Sequence, residues 1–360
     1  MIKNKICCTL AAIAAFALSA QADFYWLAVG IHYNSGNAVN GGLGNYLVLT
    51  NNDPSVVFDA VKLYDVRRTV NGGTKLCKVN NQNATPPYEG CPYGGAHYDL
   101  TLPIRDAEGN EFTFVGLNQQ AFDSNYYIGS IKLPDTLEYL KSRAFIFARY
   151  LKSCSFPENP SSMTELADHV FDSCDRLSSP IEWPPQFTTV GDYSFANCYA
   201  FPGFYGPSVT TVGNSAFNSC AKMSAIEFGA SVSFGSTVFQ NTRDSSVAHR
   251  VLFHDAPPVI DASNNLIGSS NGVLDWWGNG NAAATIYIPF NAAKDGPTAN
   301  WIAFKAAFEA AVDGNAITWP TQNGDGTWAD GQIYTKLPNK TSKLRFWDPA
   351  AQTTSALLAY

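Results

Sequence analysis

Large apolar side chains recur at a nearly constant interval through the middle of the chain, and a phenylalanine marks each interval. Successive phenylalanines are 23, 26, 24, 22 and 22 residues apart. They are Phe122, Phe145, Phe171, Phe195, Phe217 and Phe239. A period of about 20 to 29 residues is typical of a solenoid, whose copies must stack because one copy cannot bury its apolar face alone. The pattern therefore predicts a β-rich repeat solenoid.

Each copy of the repeat carries apolar residues at the same distances from its phenylalanine. One stands five positions before it, one stands six positions after it in five of the six copies, and a third stands about nine positions after it. A proline or glycine follows about three positions later, and the short segment before this breaker predicts a strand. Because stacked copies bring these strands side by side, we expect a parallel sheet on one face.

The chain before the repeats predicts a β-rich cap. Residues 23–115 contain strand-like segments between turns rich in glycine and asparagine. Within them, the segment from Tyr98 to Val115 predicts a hairpin around Glu108-Gly109-Asn110 that leads into the first repeat. The repeats then run over residues 116–255 in about six units.

The chain after the repeats predicts a helical cap and a hairpin region. Residues 256–315 contain two strand-like closing repeats and then four apolar residues on one helix face, which are Trp301, Phe304, Phe308 and Val312. This spacing predicts a short capping helix that starts near Thr298 or Asn300. Residues 316–360 predict hairpins around Asn323-Gly324-Asp325-Gly326 and a weakly structured tail.

The first 22 residues have the pattern of a signal peptide. Lys3 and Lys5 precede an apolar run at residues 6–18 that is too short to span a bilayer, and small residues follow at Ala20 and Ala22. We therefore predict cleavage after Ala22 and a secreted chain that is extracellular or held at the cell surface. A buried N-terminal helix is the alternative interpretation. The rest of the sequence predicts no transmembrane segment.

The composition is acidic and low in charge. Charged residues make up 15% of the chain, the net charge is −7 and the isoelectric point is near 5.2. These values argue against binding to nucleic acid, which requires a basic surface. They also disfavour binding to an anionic membrane. Frequent aromatic residues, with abundant glycine, asparagine and serine, are typical of a β-rich extracellular protein.

Two cysteines stand outside the repeat pattern. Six of the eight follow the predicted signal peptide, and four of these occupy repeated positions where we expect buried free thiols. The four are Cys154, Cys174, Cys198 and Cys220. Because an exported chain meets an oxidising environment, we predict a disulfide between Cys77 and Cys91, which would contribute about 3 kcal/mol. Two free thiols are the alternative, and the lack of a CxxC motif disfavours a metal site.

The repeat resembles a known family. The stretch GDYSFANCYAFPGFYGPSVTTVGNSAFNSC at residues 191–220 is similar to the BspA-like leucine-rich repeats, including Gly191 and Gly213 directly after the apolar residue. Together with the flanking strands, the likeness covers about residues 98–312. Two features depart from the family pattern, the 26-residue step before Phe171 and the aromatic run at residues 199–205.

This resemblance implies a leucine-rich-repeat type of fold. From the family's association with adhesion, it also implies a secreted, non-catalytic module that binds an extracellular or surface protein partner. In such a solenoid the outward positions of the sheet form a repeated strip. We predict that Tyr205 and Glu227 on this strip, together with Trp183 close by, contact the partner, because aromatic residues are enriched at interfaces. An ordinary solvated sheet face is the alternative interpretation.

The sequence predicts no catalytic residue, metal site or cofactor. The histidines and cysteines show no spacing suited to a shared metal, and the cysteines of the repeats occupy interior rows where burial makes a thiol inert. The acidic turns at residues 106–111 and 323–326 do not fit a calcium loop. Trp276 and Trp277, beside Asp275, could stack on a sugar, so a glycan stays among the candidate partners. The alternatives to adhesion are a self-associating structural envelope protein and a secreted carbohydrate-binding protein with its site outside the repeats.

Overall fold

The computed structural model describes residues 93–349 with several gaps, and the backbone of seven strands between residues 25 and 76. The gaps lie at residues 107–110, 115, 118, 127, 159, 161, 243–246, 248, 261–284, 312 and 336–339. The predicted signal peptide, the predicted pair Cys77 and Cys91, and the sugar-stacking candidates Trp276 and Trp277 lie outside the described residues. Each of these stays a prediction.

The chain divides into two compact units, and the division falls inside the third repeat. Unit 1 comprises Met1–Met163 and Val170–Leu177, and unit 2 comprises Thr164–His169 and Ser178–Tyr360. Each unit has its own sheets. The domain limits predicted at residues 115, 255 and 315 stay predictions.

Unit 1 contains fourteen described strands. They are β1 (Tyr25–Val29), β2 (His32–Asn34), β3 (Asn37–Val39), β4 (Tyr46–Thr50), β5 (Val57–Lys62), β6 (Val66–Arg68), β7 (Thr74–Leu76), β8 (Ala96–Asp99), β9 (Ile104–Asp106), β10 (Glu111–Phe114), β11 (Gly116–Leu117), β12 (Ile128–Lys132), β13 (Tyr139–Leu140) and β14 (Ser153–Ser155). Nine form one N-terminal sheet in the order β2-β3-β6-β7-β10-β9-β1-β4-β5, which confirms a β-rich cap. β9 and β10 pair antiparallel as the predicted hairpin strands, whereas Tyr98 lies in β8 and joins a different sheet.

The repeats of unit 1 build parallel sheets. β8, β12 and β14 lie side by side, and β11 pairs with β13. β12 and β14 carry the third apolar position of successive copies, since Ile131 is in register with Cys154. β11 and β13 carry the apolar residue five positions before each phenylalanine. Each repeat therefore contributes two strands where the sequence indicated one, because a two-residue strand is too short to show an alternating pattern.

Unit 2 has the same arrangement over more copies, followed by a helix and hairpins. Its elements are β15 (Glu165–Leu166), β16 (Ile181–Glu182), β17 (Thr189–Val190), β18 (Gly203–Gly206), β19 (Thr211–Val212), β20 (Ala225–Phe228), β21 (Ser233–Phe234), β22 (Arg250–Phe253), β23 (Thr285–Pro289), α1 (Ala299–Ala311), β24 (Ala316–Thr318), β25 (Thr321–Gln322), β26 (Trp328–Ala329), β27 (Gly331–Thr335) and β28 (Lys340–Trp347). One sheet has the order β15-β17-β19-β21, and a second has the order β16-β18-β20-β22-β23-β28-β27-β24. The predicted repeat solenoid with parallel sheets is confirmed.

The turn around each phenylalanine has the same uncommon backbone in all six copies. Residues two before and two after the phenylalanine have positive φ, which non-glycine residues adopt rarely. They are Gln120, Ser124, Arg143, Phe147, His169, Ser173, Tyr193, Asn197, Ser215, Ser219, Thr237 and Asn241. In this turn the Phe122 amide donates to Ala144 O of the next copy at 2.6 Å, and the Phe195 amide donates to Ala216 O at 2.8 Å. Backbone hydrogen bonds therefore stack the turns, whatever side chains the turns carry.

The phenylalanine rings form the core of both units. All six are at most 1% exposed. In unit 1 the first three stack with ring centroids 5.2 Å apart at each step, and in unit 2 the last three stack at 5.5 and 5.7 Å. Because burying one such side chain contributes about 1.5 to 3 kcal/mol, these rows are a main source of stability.

The residue three positions after the phenylalanine links neighbouring copies inside the core. The thiols of Cys174 and Cys220 donate to the carbonyl of a preceding repeat phenylalanine at 3.2 and 3.0 Å. Thr242 fills this position in the sixth copy, and its hydroxyl donates to Phe217 O at 2.8 Å. The prediction of buried free cysteines is confirmed at all four repeated positions. Cys174 and Cys220 therefore act as hydrogen-bond donors as well as small apolar side chains.

Helix α1 begins directly after Thr298, whose hydroxyl accepts a hydrogen bond from the Trp301 amide at 3.4 Å as an N-cap. The predicted start is thereby confirmed. Three of the four predicted apolar residues are buried, and Val312 lies outside the described residues. The Trp301 ring lies 5.7 Å from Phe253, and its Nε1 donates to His254 O at 3.1 Å, so the helix packs on β22 as a cap. No helix in the described part of the chain is long and apolar enough to cross a membrane.

Candidate functional site

The outward positions of the repeat sheet in unit 2 form a row in register. Glu182 lies beside Tyr205, Tyr205 beside Glu227, and Glu227 beside Leu252. Because neighbouring strands of a sheet are about 4.8 Å apart, these side chains share one surface. The row contains Tyr205 and Glu227, two of the three predicted contact residues.

Glu227 is covered although its position faces outward. It is 3% exposed, and its Oε1 lies 2.7 Å from His254 Nε2. This imidazole partner offsets the cost of burying a carboxylate. Tyr205 is half-buried beside it, and the pKa of its phenol is raised, mainly by burial and then by the charge of Glu227. At neutral pH Tyr205 therefore keeps its hydroxyl proton and can donate a hydrogen bond.

Trp347 packs over the part of this surface that contains Leu252 and His254. It stands at the end of β28, which lies parallel to β23 in the same sheet. It is 4% exposed, packs in a cluster with Leu252, and stands edge-on to His254 with ring centroids 5.3 Å apart. Its Nε1 donates to Phe253 O at 3.0 Å. Sequence analysis missed both Trp347 and His254, because the parallel partner of β28 is distant along the chain and only the alternation in KLRFW suggested a strand.

Trp183, which is expected from the sequence to lie close to the outward strip, is buried and does not lie on this surface. It is 4% exposed, and its ring lies 5.3 Å from Phe187 and 6.0 Å from Phe195. Side chains alternate between the faces of a strand, so the residue after the outward Glu182 points inward. Glu227 is not accessible either, because it is 3% exposed and paired with His254. Of the three predicted residues only Tyr205 is accessible.

A charged group lies near the end of the same sheet. Arg345 donates from Nε to Asp330 Oδ1 at 2.6 Å and from Nη2 to Oδ2 at 3.0 Å. Lys343 Nζ lies 3.5 Å from the same Oδ2. The guanidinium hydrogen bond lowers the pKa of Asp330, so the carboxylate stays ionised at neutral pH.

The outward positions of unit 1 are open. Lys132 and Ser155 are in register and exposed, and Lys132 Nζ lies 3.7 Å from Asp99 Oδ2. Beside them lies a groove of about 640 Å³, whose lining includes Phe114 and Glu158. Unit 1 therefore presents an open surface of mixed polarity where unit 2 presents a partly covered one.

The repeat cysteines are unsuited to nucleophilic chemistry. Burial raises the pKa of the thiols of Cys154, Cys174 and Cys220, which therefore stay protonated at neutral pH. Within the described ranges, no group of three or more His, Cys, Asp or Glu residues could hold a metal ion.

Three solved structures of leucine-rich repeat proteins are similar to this chain. A leucine-rich repeat protein of T. pallidum is 19% identical with a TM-score of 0.38, over 51% of this chain and 78% of its own. One from Bacteroides ovatus is 16% identical with a TM-score of 0.39, over 66% of this chain and 65% of its own. A leucine-rich cell surface protein from Faecalibacterium prausnitzii is 14% identical with a TM-score of 0.30, over 63% and 69%.

The sequence of the repeats carries the family assignment. A comparison with curated protein sequences finds no match. A family profile described as a BspA type leucine rich repeat region matches residues 116–245 in six copies. These copies include all six phenylalanines of the repeat. Residues 116–245 of this chain are therefore a region of BspA-type leucine-rich repeats.

Proposed function

We propose that this chain is a secreted, non-catalytic module that binds an extracellular or surface protein through the outer face of its repeat sheet. Leucine-rich repeats are typically protein-binding modules. The observation that carries the proposal is the in-register row of Glu182, Tyr205 and Glu227. Hydrogen-bonded parallel strands hold this row rigidly, and a rigid surface loses little conformational entropy on binding.

Tyr205 and Glu182 are the residues that we expect to touch the partner. Glu182 is exposed, and Tyr205 combines an apolar ring with a hydroxyl, as residues that dominate binding energy commonly do. Glu227 supports the row from a buried position through its pairing with His254. The secreted location rests on the signal-peptide pattern of the first 22 residues.

The proposal is tested by binding of the purified chain to a panel of immobilised extracellular-matrix proteins. For a partner bound through this row, we expect Tyr205→Ala to weaken binding at least about tenfold, or about 1.4 kcal/mol. Tyr199→Ala is the matched control, because Tyr199 is a 50% exposed tyrosine of the same repeat that lies outside the strands. Glu182→Ala should have a smaller effect, because an exposed charge contributes mainly to the association rate.

Three other outcomes would each support a different site or function. Equal losses with Tyr199→Ala and Tyr205→Ala would remove the row from the proposal. No binding to the panel, together with a molecular size that grows with concentration, would replace adhesion by self-association. A glycan-array signal that is lost on Trp276→Ala with Trp277→Ala would support the carbohydrate alternative.

A further inference from the structure

Three tyrosines of unit 1 come together on its surface. Ring centroids are 5.0 Å apart for Tyr93 and Tyr150, 6.0 Å for Tyr93 and Tyr126, and 6.2 Å for Tyr126 and Tyr150. We term these three residues the tyrosine cluster. Tyr126 and Tyr150 stand four and five positions after a repeat phenylalanine, whereas Tyr93 precedes the repeats. Folding, rather than the repeat alone, therefore creates the cluster.

The cluster is exposed and held by the backbone. Tyr93 is 56% exposed, Tyr126 is 37% exposed and Tyr150 is half-buried. The amide of Gly94 donates to Tyr126 O at 2.9 Å. Gly94 has a φ of +72°, and an added Cβ would lie 3.1 Å from Tyr150 O, so glycine suits this close approach. Exposed tyrosines on a fixed backbone are typical of binding surfaces, since their rings give a large contact area at little entropic cost.

Positively charged side chains lie on the Tyr150 side of the cluster. The guanidinium of Arg176 lies 4.3 Å from the centroid of the Tyr150 ring. Arg149 pairs with Asp175 at 3.7 Å, which neutralises that carboxylate. Lys152 adds an exposed cation two residues after Tyr150. Arg176 and Lys152 therefore place positive charge beside Tyr150, although the chain as a whole carries a net charge of −7.

We propose that the tyrosine cluster, with Arg176 and Lys152, binds an acidic, extended segment of a protein partner. Arginine and lysine pair with carboxylates, and tyrosine rings pack on the apolar parts of a peptide while their hydroxyls hydrogen-bond. Two of the three ring pairs meet at 78° and 67°, so the cluster presents edges rather than one flat platform for a sugar ring. This geometry favours a peptide over a glycan. The inference rests on the proposed protein-binding function and adds a second contact surface, in unit 1.

The test uses a fluorescein-labelled peptide of about twelve residues, rich in glutamate and serine, and follows its anisotropy with the purified chain. We expect binding at about 0.05 M salt that weakens at about 0.5 M, because salt screens exposed charges. The same peptide with glutamine in place of glutamate should not bind. Arg176→Glu, and separately the double variant Tyr93→Ala with Tyr150→Ala, should each weaken binding at least about tenfold.

Matched controls come from equivalent repeat positions in unit 2. Tyr199→Ala removes an exposed tyrosine four positions after a repeat phenylalanine, and Lys222→Glu reverses a charge five positions after one. Neither should change binding of the acidic peptide by more than about twofold. Thermal melting of every variant shows whether weaker binding comes from a changed surface or from an unfolded chain. If Tyr93→Ala impairs folding, Tyr93→Phe replaces it, because this variant keeps the ring and removes only the hydroxyl.

The outcomes separate this inference from the proposed function. Failure of the acidic peptide to bind, or peptide binding that the cluster variants leave unchanged, would overturn the inference, and a matrix protein whose binding is weakened by Tyr205→Ala would still leave the proposed function standing. Peptide binding that depends on the cluster, with no effect of Tyr205→Ala on any matrix protein, would support the inference and remove the sheet face. Binding of polygalacturonate, and not of the acidic peptide, in a cluster-dependent manner would assign the patch to a glycan and overturn the inference.

Discussion

Lys132 in unit 1 and Glu227 in unit 2 occupy the same position of the repeat and have opposite surroundings. Each stands ten residues after its repeat phenylalanine and directly after a buried isoleucine, on a strand with parallel neighbours. The side chain of Lys132 is 58% exposed, whereas that of Glu227 is 4% exposed. The repeat determines that this position points outward. The segments of the same chain that pack beside it determine whether the outward residue is exposed to solvent.

The residues that surround Lys132 in unit 1 differ from those that surround the outward row of unit 2. In unit 1, Lys132 lies beside Asp99 of β8 in an exposed ion pair, which typically contributes about 0 to 1 kcal/mol. In unit 2, the row runs on towards β28, and Trp347 packs against Leu252 and His254. The covered part of the outer face therefore contributes to stability, while the open parts are available for contact with a partner.

Substitution of Trp347, which packs over the outer face of unit 2, should have the largest effect on the free energy of unfolding. We expect Trp347→Ala to lower the free energy of unfolding by about 3 to 5 kcal/mol, because it creates a cavity and leaves Phe253 O without its indole donor. Urea denaturation measures this change. Ile302→Ala, at a 54% exposed position of α1, should change the free energy by less than about 0.5 kcal/mol. If Trp347→Ala lowers the free energy of unfolding by less than about 1 kcal/mol, packing of Trp347 over the sheet contributes little to stability.

The same substitution at the two equivalent positions should have unequal effects. Glu227→Ala leaves His254 without its carboxylate partner in a partly buried place, and we expect a loss of about 1 to 3 kcal/mol. Lys132→Ala should change the free energy of unfolding by less than about 0.5 kcal/mol. Both are measured by urea denaturation at pH 7. Equal losses would contradict the assignment of a buried and an open face.

The smallest effect on stability should come from the ion pair between Arg345 of β28 and Asp330, which directly precedes β27. The folded pKa of Asp330 is lowered by Arg345, so the pair stabilises the fold above the unfolded pKa of about 3.9. This contribution is lost as the pH falls through the lower folded pKa. We expect Asp330→Asn to cost about 0.5 kcal/mol at pH 7, and the difference from the natural chain to shrink below pH of about 4. Stability curves between pH 7 and the acid transition measure it.

A double-mutant cycle is the control for that prediction. In an Arg345→Ala background, Asp330→Asn should cost little, because the hydrogen-bonded partner is already absent. A full cost in that background would assign the effect to Lys343 or to the backbone of β27 instead.

Features that depend on local spacing could be predicted from the sequence. The phenylalanine rows, the buried cysteines and the capped start of α1 follow from side-chain type at fixed offsets. The inward turn of Trp183 was missed because the residue lies just beyond β16, which has only two residues. The pairing of β8 with β12 and of β28 with β23 was missed because parallel partners distant along the chain leave no local pattern.

The candidate surfaces show the same limit. The sequence placed Tyr205 and Glu227 on one outward strip, and the register confirms that they are neighbours. It did not identify the tyrosine cluster, because Tyr93 lies outside the repeat and meets Tyr126 only after β8 joins the repeat sheet. The only local signal was the aromatic residue four or five positions after a repeat phenylalanine.

The sequence by itself determined the repeat, its period and the direction of each outward residue, because burial of one apolar set per copy fixes the register of every strand. Only the tertiary structure decided which outward residues are exposed. Exposure depends on chain segments that arrive from elsewhere, such as Trp347 over the sheet of unit 2 and Tyr93 beside the turns of unit 1. Such contacts form between residues far apart in the chain, so no repeat pattern encodes them.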